Sequence, residues 1–412
     1  MTVIWFRLSC ISLLNRGQRN ISIFSNATPS NFNKVVSDAE KIVGYPTSFV
    51  SLRCLLSDEL SNVAMHVRKL VGTKHPLLST ARGLIYDSRN NLRMRGLVVL
   101  LMSKAAGPSQ HTASDHLPQD MVSGIYPRTV SHHLKDGPKV SISAPIPGSL
   151  HRLILPRNLA EVTELIHTAF LVHRGIINLK EWTNSDGPLK DMQFGNKMSV
   201  LSGDFLLANA CTGLAQLNNT KVVELISSAI GDLVQGNYHE IHNSLEDNSL
   251  TDEINMVTWE EQTFLSHGAL LAKSCQAAME LAKHDKDAQG LAYKYGKHLS
   301  LGHKLNSDLQ LFVKSSCSAD PVTFSFNSAP VVFHRQIVGQ ERWCHQLQQA
   351  KTIGRQMDYT KLRSTIKLEK GVTSTIDLCR YHGNKALESI QCFPSSEARS
   401  ALENIARAVT KF

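Results

Sequence analysis

The sequence is short of the features that mark several common classes. Aromatic residues make up only 6% of its 412 residues, and no stretch alternates strictly between apolar and polar positions over strand lengths, which leaves little basis for a sheet protein. No window holds eighteen uninterrupted apolar residues, so no membrane span is expected. The eight cysteines, Cys10, Cys54, Cys211, Cys275, Cys317, Cys344, Cys379 and Cys392, are widely spread with no Cys-x-x-Cys pair. That excludes the usual zinc ribbon and gives no disulfide framework. A Gly-rich phosphate loop, a Gly-x-Ser-x-Gly elbow and an internal repeat are all missing. Basic residues exceed acidic ones by nine, yet they are scattered and not gathered into a run with interleaved aromatics, so nucleic acid is not the expected partner.

Acids are also missing from the start of the chain. Residues 1–31 contain Arg7, Arg16 and Arg19 among Ser, Leu, Ile and Phe, and the first carboxylate is Asp38. This is the composition of a disordered mitochondrial transit peptide. Arg16 and Arg19 follow the short apolar run too closely for a secretory signal.

What is present is helix after helix. Ser57–Val71 is amphipathic, with Asp58 and Glu59 in its first turn and Arg68 and Lys69 in its last, as the helix dipole prefers. Pro76–Tyr86 follows, then Asn90–Ala106, which starts polar and becomes wholly apolar. Residues 108–156 hold seven of the fourteen prolines together with Ser, Gly and His, and read as a disordered insertion. Beyond Arg157 the helical pattern resumes over Leu165–Asn178, Asn196–Leu217, Lys221–His239, Thr258–His284 and Leu291–Val313. After a connection it continues over Trp343–Gly354, Tyr359–Lys367, Thr373–Ala386 and Ser396–Lys411. His132-His133 falls in the insertion. His239 and His242 are one residue short of a zinc-protease spacing and lack a third ligand, so both read as structural. The expected architecture is a single all-α domain over 32–412.

Three of these helices combine apolar faces with one or two charges. Leu165–Asn178 is apolar on almost every side but carries Arg174, costly to bury unpaired, and Gly175, poor in a helix interior. Asn196–Leu217 brings small residues (Ser202, Gly203, Ala208, Ala210, Gly213) that permit close helix approach, plus one acid, Asp204, read as a buried hydrogen-bonding group. Leu291–Val313 contains Lys304 and Asp308. Charges converging from three buried helices predict a polar pocket inside a bundle.

The stretches LVHRGIIN and GNKMSVLSGDFLLANA resemble the core of the trans-isoprenyl diphosphate synthases. That family reads there as Leu-(Ile/Leu)-His-Asp-Asp-x-x-Asp, then Gly-x-x-x-Ala-Val-Leu-(Ala/Ser)-Gly-Asp-x-Leu-Leu. The C-terminal GNKALESIQCFPSSEARSALENIARAV is similar to the ending of its long-chain members. The resemblance implies an isoprenoid-synthase helix bundle around a central cavity. It also implies where the family's magnesium–diphosphate chemistry would lie. The first aspartate cluster maps onto Arg174, Gly175 and Asn178, with every carboxylate gone. The second maps onto Ser307, Asp308 and Leu311, where only Asp308 survives and Lys304 adds a cation. The segment Gly-Gly-Lys-Arg-x-Arg-Pro maps onto Asn90–Gly96, with Leu92 for the lysine but Arg93 and Arg95 kept as possible diphosphate contacts. The family's Arg-Arg-Gly becomes Ser185-Asp186-Gly187, and its Lys-Thr pair becomes His267-Gly268.

Magnesium needs several hard oxygen ligands, and losing even one transition-state donor costs roughly two to three decades in rate. A guanidinium in a cation's place adds repulsion of about 4 kcal/mol at contact distance. The expectation is therefore a degenerate cavity with no catalytic residue, no metal ligand and no cofactor held by this chain. Arg174 and Lys304 should seek Asp308 or Asp204. The resemblance further implies a hetero-oligomer, a heterotetramer, with a catalytic polyprenyl diphosphate synthase subunit 1 that holds the Mg²⁺. Isoprenoid diphosphates would be handled by that complex, in the mitochondrial matrix, for the polyprenyl tail of ubiquinone. A self-sufficient prenyltransferase with an unusual site and an isoprenoid-binding scaffold are the alternatives.

Overall fold

The computed structural model describes residues 31–44, 70, 72–78, 80, 94–107, 148–180, 182–245, 255–313, 324–350 and 357–411. Among them the chain is helical throughout and contains no strand. In order, the helices are α1 (Asn31–Val43), α2 (Arg95–Ala105), α3 (Gly148–His173), α4 (Leu189–Gln216), α5 (Thr220–Leu245) and α6 (Met256–Thr263). A π-helical turn, Phe264–Gly268, joins α6 to α7 (Ala269–Leu281). Then come α8 (Lys286–Val313), α9 (Ala329–Val338), α10 (Gln340–Ala350), α11 (Tyr359–Leu368), α12 (Gly371–Gln391) and α13 (Glu397–Val409).

The centre is built from two strongly apolar helices. On α2, Leu97, Val98, Val99, Leu101 and Met102 are all fully enclosed, and on α7 so are Leu271, Ala272, Cys275 and Met279. Each large side chain contributes about 1.5–3 kcal/mol by leaving water. Around this pair α3 packs on α2, α4 and α7, α8 packs on α7 and α12, and α1 and α13 close one side. An aromatic cluster of Phe312, Phe324 and Trp343 ties α8 to the C-terminal helices. The small residues of α4 do allow close approach: a Cβ at Gly203 would run into the His173 imidazole, and one at Gly213 would meet Val162 at 2.6 Å.

The structure corrects the sequence reading at several points. Helix α3 begins at Gly148, so its first turns, including Pro156, lie inside the stretch read as insertion. It ends at His173, so Arg174, Gly175 and Asn178 occupy a turn beyond the helix. The Gly175 N–H bonds to the Val172 carbonyl at 3.0 Å as the chain leaves the helix. Thr258–His284 is interrupted by the π turn. Helix α4 is long and apolar enough to cross a membrane by length and composition alone, a test that core helices of a bundle also pass. The expected transit peptide up to Ser30, most of Ser57–Val71, most of Pro76–Tyr86, residues 108–147 and Arg93 lie outside the described residues.

Candidate functional site

Where α2, α3, α5, the π turn and α8 converge they leave a cavity of about 230 Å³. Helix α3 contributes His167, Phe170, Leu171 and, just past its end, Arg174; α8 contributes Ser300, His303, Lys304 and Ser307. Both sets follow the i, i+3, i+4, i+7 spacing of one helix face. Arg95 enters from the first turn of α2, Leu233 and Asn237 from α5, and Ser266 and His267 from the π turn. The π turn is where the extra residue per turn swings Ser266 and His267 inward. Gly236 of α5 makes room for it, since a Cβ there would overlap the Ser266 backbone nitrogen. The Ser266 hydroxyl and His267 Nδ1 are hydrogen-bonded at 2.7 Å.

Among the described residues the wall contains cations, histidines, hydroxyls, an amide and the apolar Phe170, Leu171 and Leu233, and no carboxylate. The two nearby acids stand behind it. Glu164 is buried and its Oε1 accepts the Gly96 N–H at 2.8 Å. Its charge favours the Arg95 guanidinium, which burial nevertheless draws down to about 10, still protonated at neutral pH. Asp308 accepts from Lys304 Nζ at 2.5 Å through one oxygen and from the Ala329 N–H at 3.0 Å through the other, holding the lysine and the start of α9 together. Lys304 thus finds the acid expected of it.

Arg174 keeps part of its surface in water at the rim, while the surrounding wall still dehydrates the guanidinium enough to lower its pKa. The three histidines are held neutral. Burial is the largest cause for each; Arg95 then adds most for His167, Lys304 for His267, and Arg95 followed by Lys304 for His303, which falls to about 4. His167 Nε2 is buried and has no hydrogen-bond partner among the described residues.

The remaining sequence candidates are elsewhere. Asp204, expected to be buried, is 63% exposed and faces His173 Nε2 at 3.2 Å. Ser307 lines the cavity, but Leu311 is an exposed apolar residue. Asn178 bonds locally, its Oδ1 accepting the Lys180 N–H. The 174–178 turn is fixed by Asn196, whose side-chain amide accepts from the Ile177 N–H and donates to the Ile177 carbonyl, both at 2.9 Å. His75 contacts the same Asn196 oxygen at 3.1 Å. Ser185-Asp186-Gly187 has become a structural turn. The Asp186 carboxylate accepts from the Thr183 hydroxyl and N–H, its backbone carbonyl accepts the Lys74 N–H, and Trp182 Nε1 donates to the Gly187 carbonyl.

These residues do not fit magnesium. Hard divalent ions need clustered oxygen anions, whereas the cavity offers positive charge and imidazoles. Among the described residues no group of three or more His, Cys, Asp or Glu could hold a metal ion. Sequence reasoning passed over His167, Ser300 and Asn237. The periodic polar face His167–Arg174, repeated as Ser300–Ser307, was the signal available.

A family model described as polyprenyl synthetase matches residues 152–317. The chain is 62% identical over 388 residues to the all trans-polyprenyl-diphosphate synthase PDSS2 of Rattus norvegicus, covering 94% of this chain and 89% of that protein. It is 30% identical to the probable mitochondrial hexaprenyl pyrophosphate synthase of Neurospora crassa, covering 94% of this chain and 86% of the relative. Geranylgeranyl pyrophosphate synthetase from Pyrococcus horikoshii shares the fold, with a TM-score of 0.61 at 15% identity over 93% of this chain and 100% of that one.

Proposed function

The chain belongs to the polyprenyl synthetase family, and we propose that within it the protein is a non-catalytic, regulatory subunit of a heteromeric all-trans-polyprenyl diphosphate synthase of the decaprenyl type. The observation that carries this reading is the inverted charge of the cavity. Arg174 stands where the family's resemblance calls for an aspartate, and Lys304 adds a second cation to the same wall, beside Arg95, which the resemblance retains. Ionising an allylic diphosphate requires a metal to absorb the departing charge, and this wall repels one. The chemistry then belongs to a sister chain, a catalytic subunit 1, which holds the Mg²⁺ and the isoprenoid diphosphates.

The surface available for that assembly is the outer face of α4 and α5. Leu201 is 63% exposed, Val234 56% and Tyr238 68%, with Val200 beside them. Exposed apolar side chains on these two helices support a protein contact there. This accounts for a helix apolar enough to cross a membrane being only partly enclosed. A heterotetramer would pair such faces. The acid-free, arginine-bearing N-terminus supports delivery to the mitochondrial matrix, and the mitochondrial name of the Neurospora relative supports the same compartment. Within it the product would be the polyprenyl tail of ubiquinone.

The test is turnover of farnesyl diphosphate and labelled isopentenyl diphosphate with Mg²⁺. The purified chain alone is expected to be inactive, and co-expression with the catalytic subunit to yield an active complex containing both. Robust turnover by the chain alone would overturn the reading.

A further inference from the structure

Away from the central cavity, helices α1 and α13 leave a groove of about 470 Å³ between them. Its α1 wall is Val35, Asp38, Ala39 and Ile42, spaced i, i+3, i+4 and i+7 along one helix face. Its α13 wall repeats that spacing with Glu397, Ser400, Ala401 and Asn404. Val35, Ala39, Ile42 and Ala401 make an apolar floor, while Asp38, Glu397, Ser400 and Asn404 are exposed along the rim. Among the described residues no aromatic ring and no cation lines it, so it lacks the aromatic, enclosing character of a small-molecule pocket. Two helix walls over an apolar floor suit a third helix that lays its own apolar stripe between them.

The charged side chains of the rim are acids, in a chain with nine more basic than acidic residues. Lys41, which does not line the groove, pairs with Asp38 at 2.9 Å, but so exposed a pair is weak and exchanges readily for another. Arg407 is engaged with Glu403 and Asn404. An incoming helix is therefore matched when a Lys or Arg flanks its apolar stripe. A second copy of this chain does not fit. Across a two-fold axis it presents the same groove and the same acids, so no ridge enters and like charges meet. Seating a different face of itself there would build an open-ended chain unless the rotation closed a ring. The groove is also remote from the outer face of α4: α1 packs on α13 and α2, whereas α4 packs on α3 and α5.

We propose that the α1–α13 groove receives an amphipathic helix of a non-identical subunit, the catalytic chain of a neighbouring heterodimer. Apolar side chains of that helix rest on Val35, Ala39, Ile42 and Ala401, and a Lys or Arg beside them meets Glu397 and Asp38. The inference rests on the subunit reading above and adds to it the second contact, through which two heterodimers join as a heterotetramer. The contact through α4 and α5 forms each heterodimer, and the groove joins the pair.

The experiment co-expresses the full chain with the catalytic subunit and measures mass by size-exclusion chromatography with light scattering. The wild-type complex is expected to hold two copies of each chain. Ser400→Trp fills the groove from an exposed position, and Glu397→Lys inverts the charge of its rim. Each should raise the dimer–dimer Kd at least about tenfold, leaving a complex with one copy of each chain. Melting curves of the isolated variants should match wild type. Added salt should weaken the same step. Lysine-reactive cross-linking should join Lys41, 74% exposed beside the groove, to a lysine of the catalytic subunit. Tetramer mass unchanged in both variants, or a Lys41–Lys41 cross-link between two copies of this chain, would overturn the inference. A wild-type complex with only one copy of each chain would do the same while leaving the subunit reading intact. No complex at all would remove that reading, and the inference with it.

Discussion

Replacing Leu201 with aspartate should leave the isolated chain folded and abolish its assembly. Leu201 sits in the middle of α4 with 63% of its surface open to water. Fully burying a leucine is worth about 2 kcal/mol, so the part still exposed could yield about 1.3 kcal/mol to a partner. Leu201→Ala should therefore weaken the complex about tenfold. Aspartate does more, because it would place an unpaired carboxylate inside an apolar contact, adding several kcal/mol. A loss of about a thousandfold or more is then expected. The isolated chain should hardly notice: the helix-propensity cost of aspartate is about 0.5 kcal/mol, a shift of only a degree or two in Tm. The assay is co-expression with the catalytic subunit, size-exclusion chromatography with light scattering, and a melting curve of each variant alone. Undiminished complex formation by Leu201→Asp, with Tyr238→Asp equally harmless, would refute the placement of the interface on α4 and α5.

Acid should unfold the protein early. His303 and His382 are drawn down to about 4 and about 3, in both cases chiefly by burial. Because their folded pKa values lie below the unfolded one near 6.5, the stability they protect is fully present above pH 6.5 and is lost as pH falls toward 4; at pH 5 each accounts for about 2 kcal/mol. Urea midpoints between pH 7 and pH 5 measure this, and a flat profile would contradict it. Asp308→Asn should destabilise by about 2–4 kcal/mol, since it strands Lys304 near the cavity and weakens the cap on Ala329. Adding Lys304→Met to that variant should recover part of the loss in denaturant titration. Gly203→Val should cost about 1–3 kcal/mol by driving a side chain into the His173 ring, read as a lowered Tm, whereas Gly231→Ala, where a Cβ meets nothing within 4 Å, should be neutral or stabilising.

Much of the bundle was legible because helix periodicity and length survive in a single sequence. The apolar end of Asn90–Ala106 became the enclosed α2, and the glycines of Asn196–Leu217 became the close packing of α4 on α3. The missing carboxylates at 174, 175 and 178 were equally plain. What could not be read was decided by packing. Arg174 lies beyond the helix because Asn196, from the start of α4, captures the backbone at Ile177, a contact that helix periodicity alone does not reveal. Asp204 sits in an apolar pattern yet faces outward, since that side of α4 is uncovered in the isolated chain. The π turn has no residue signature of its own. It depends on Gly236 from another helix, and without it the inward positions of Ser266 and His267 are invisible.

The Asn196 bracket around Ile177 bears on whether this history could run backwards. Aspartates placed at 174, 175 and 178 would stand on a non-helical stretch pinned by two hydrogen bonds and backed by His75. Reversal would need the anchor undone before any new carboxylate became useful, and undoing it first would loosen a working scaffold for no immediate gain. In the proposed subunit role, dependence on a sister enzyme would be built into the backbone itself.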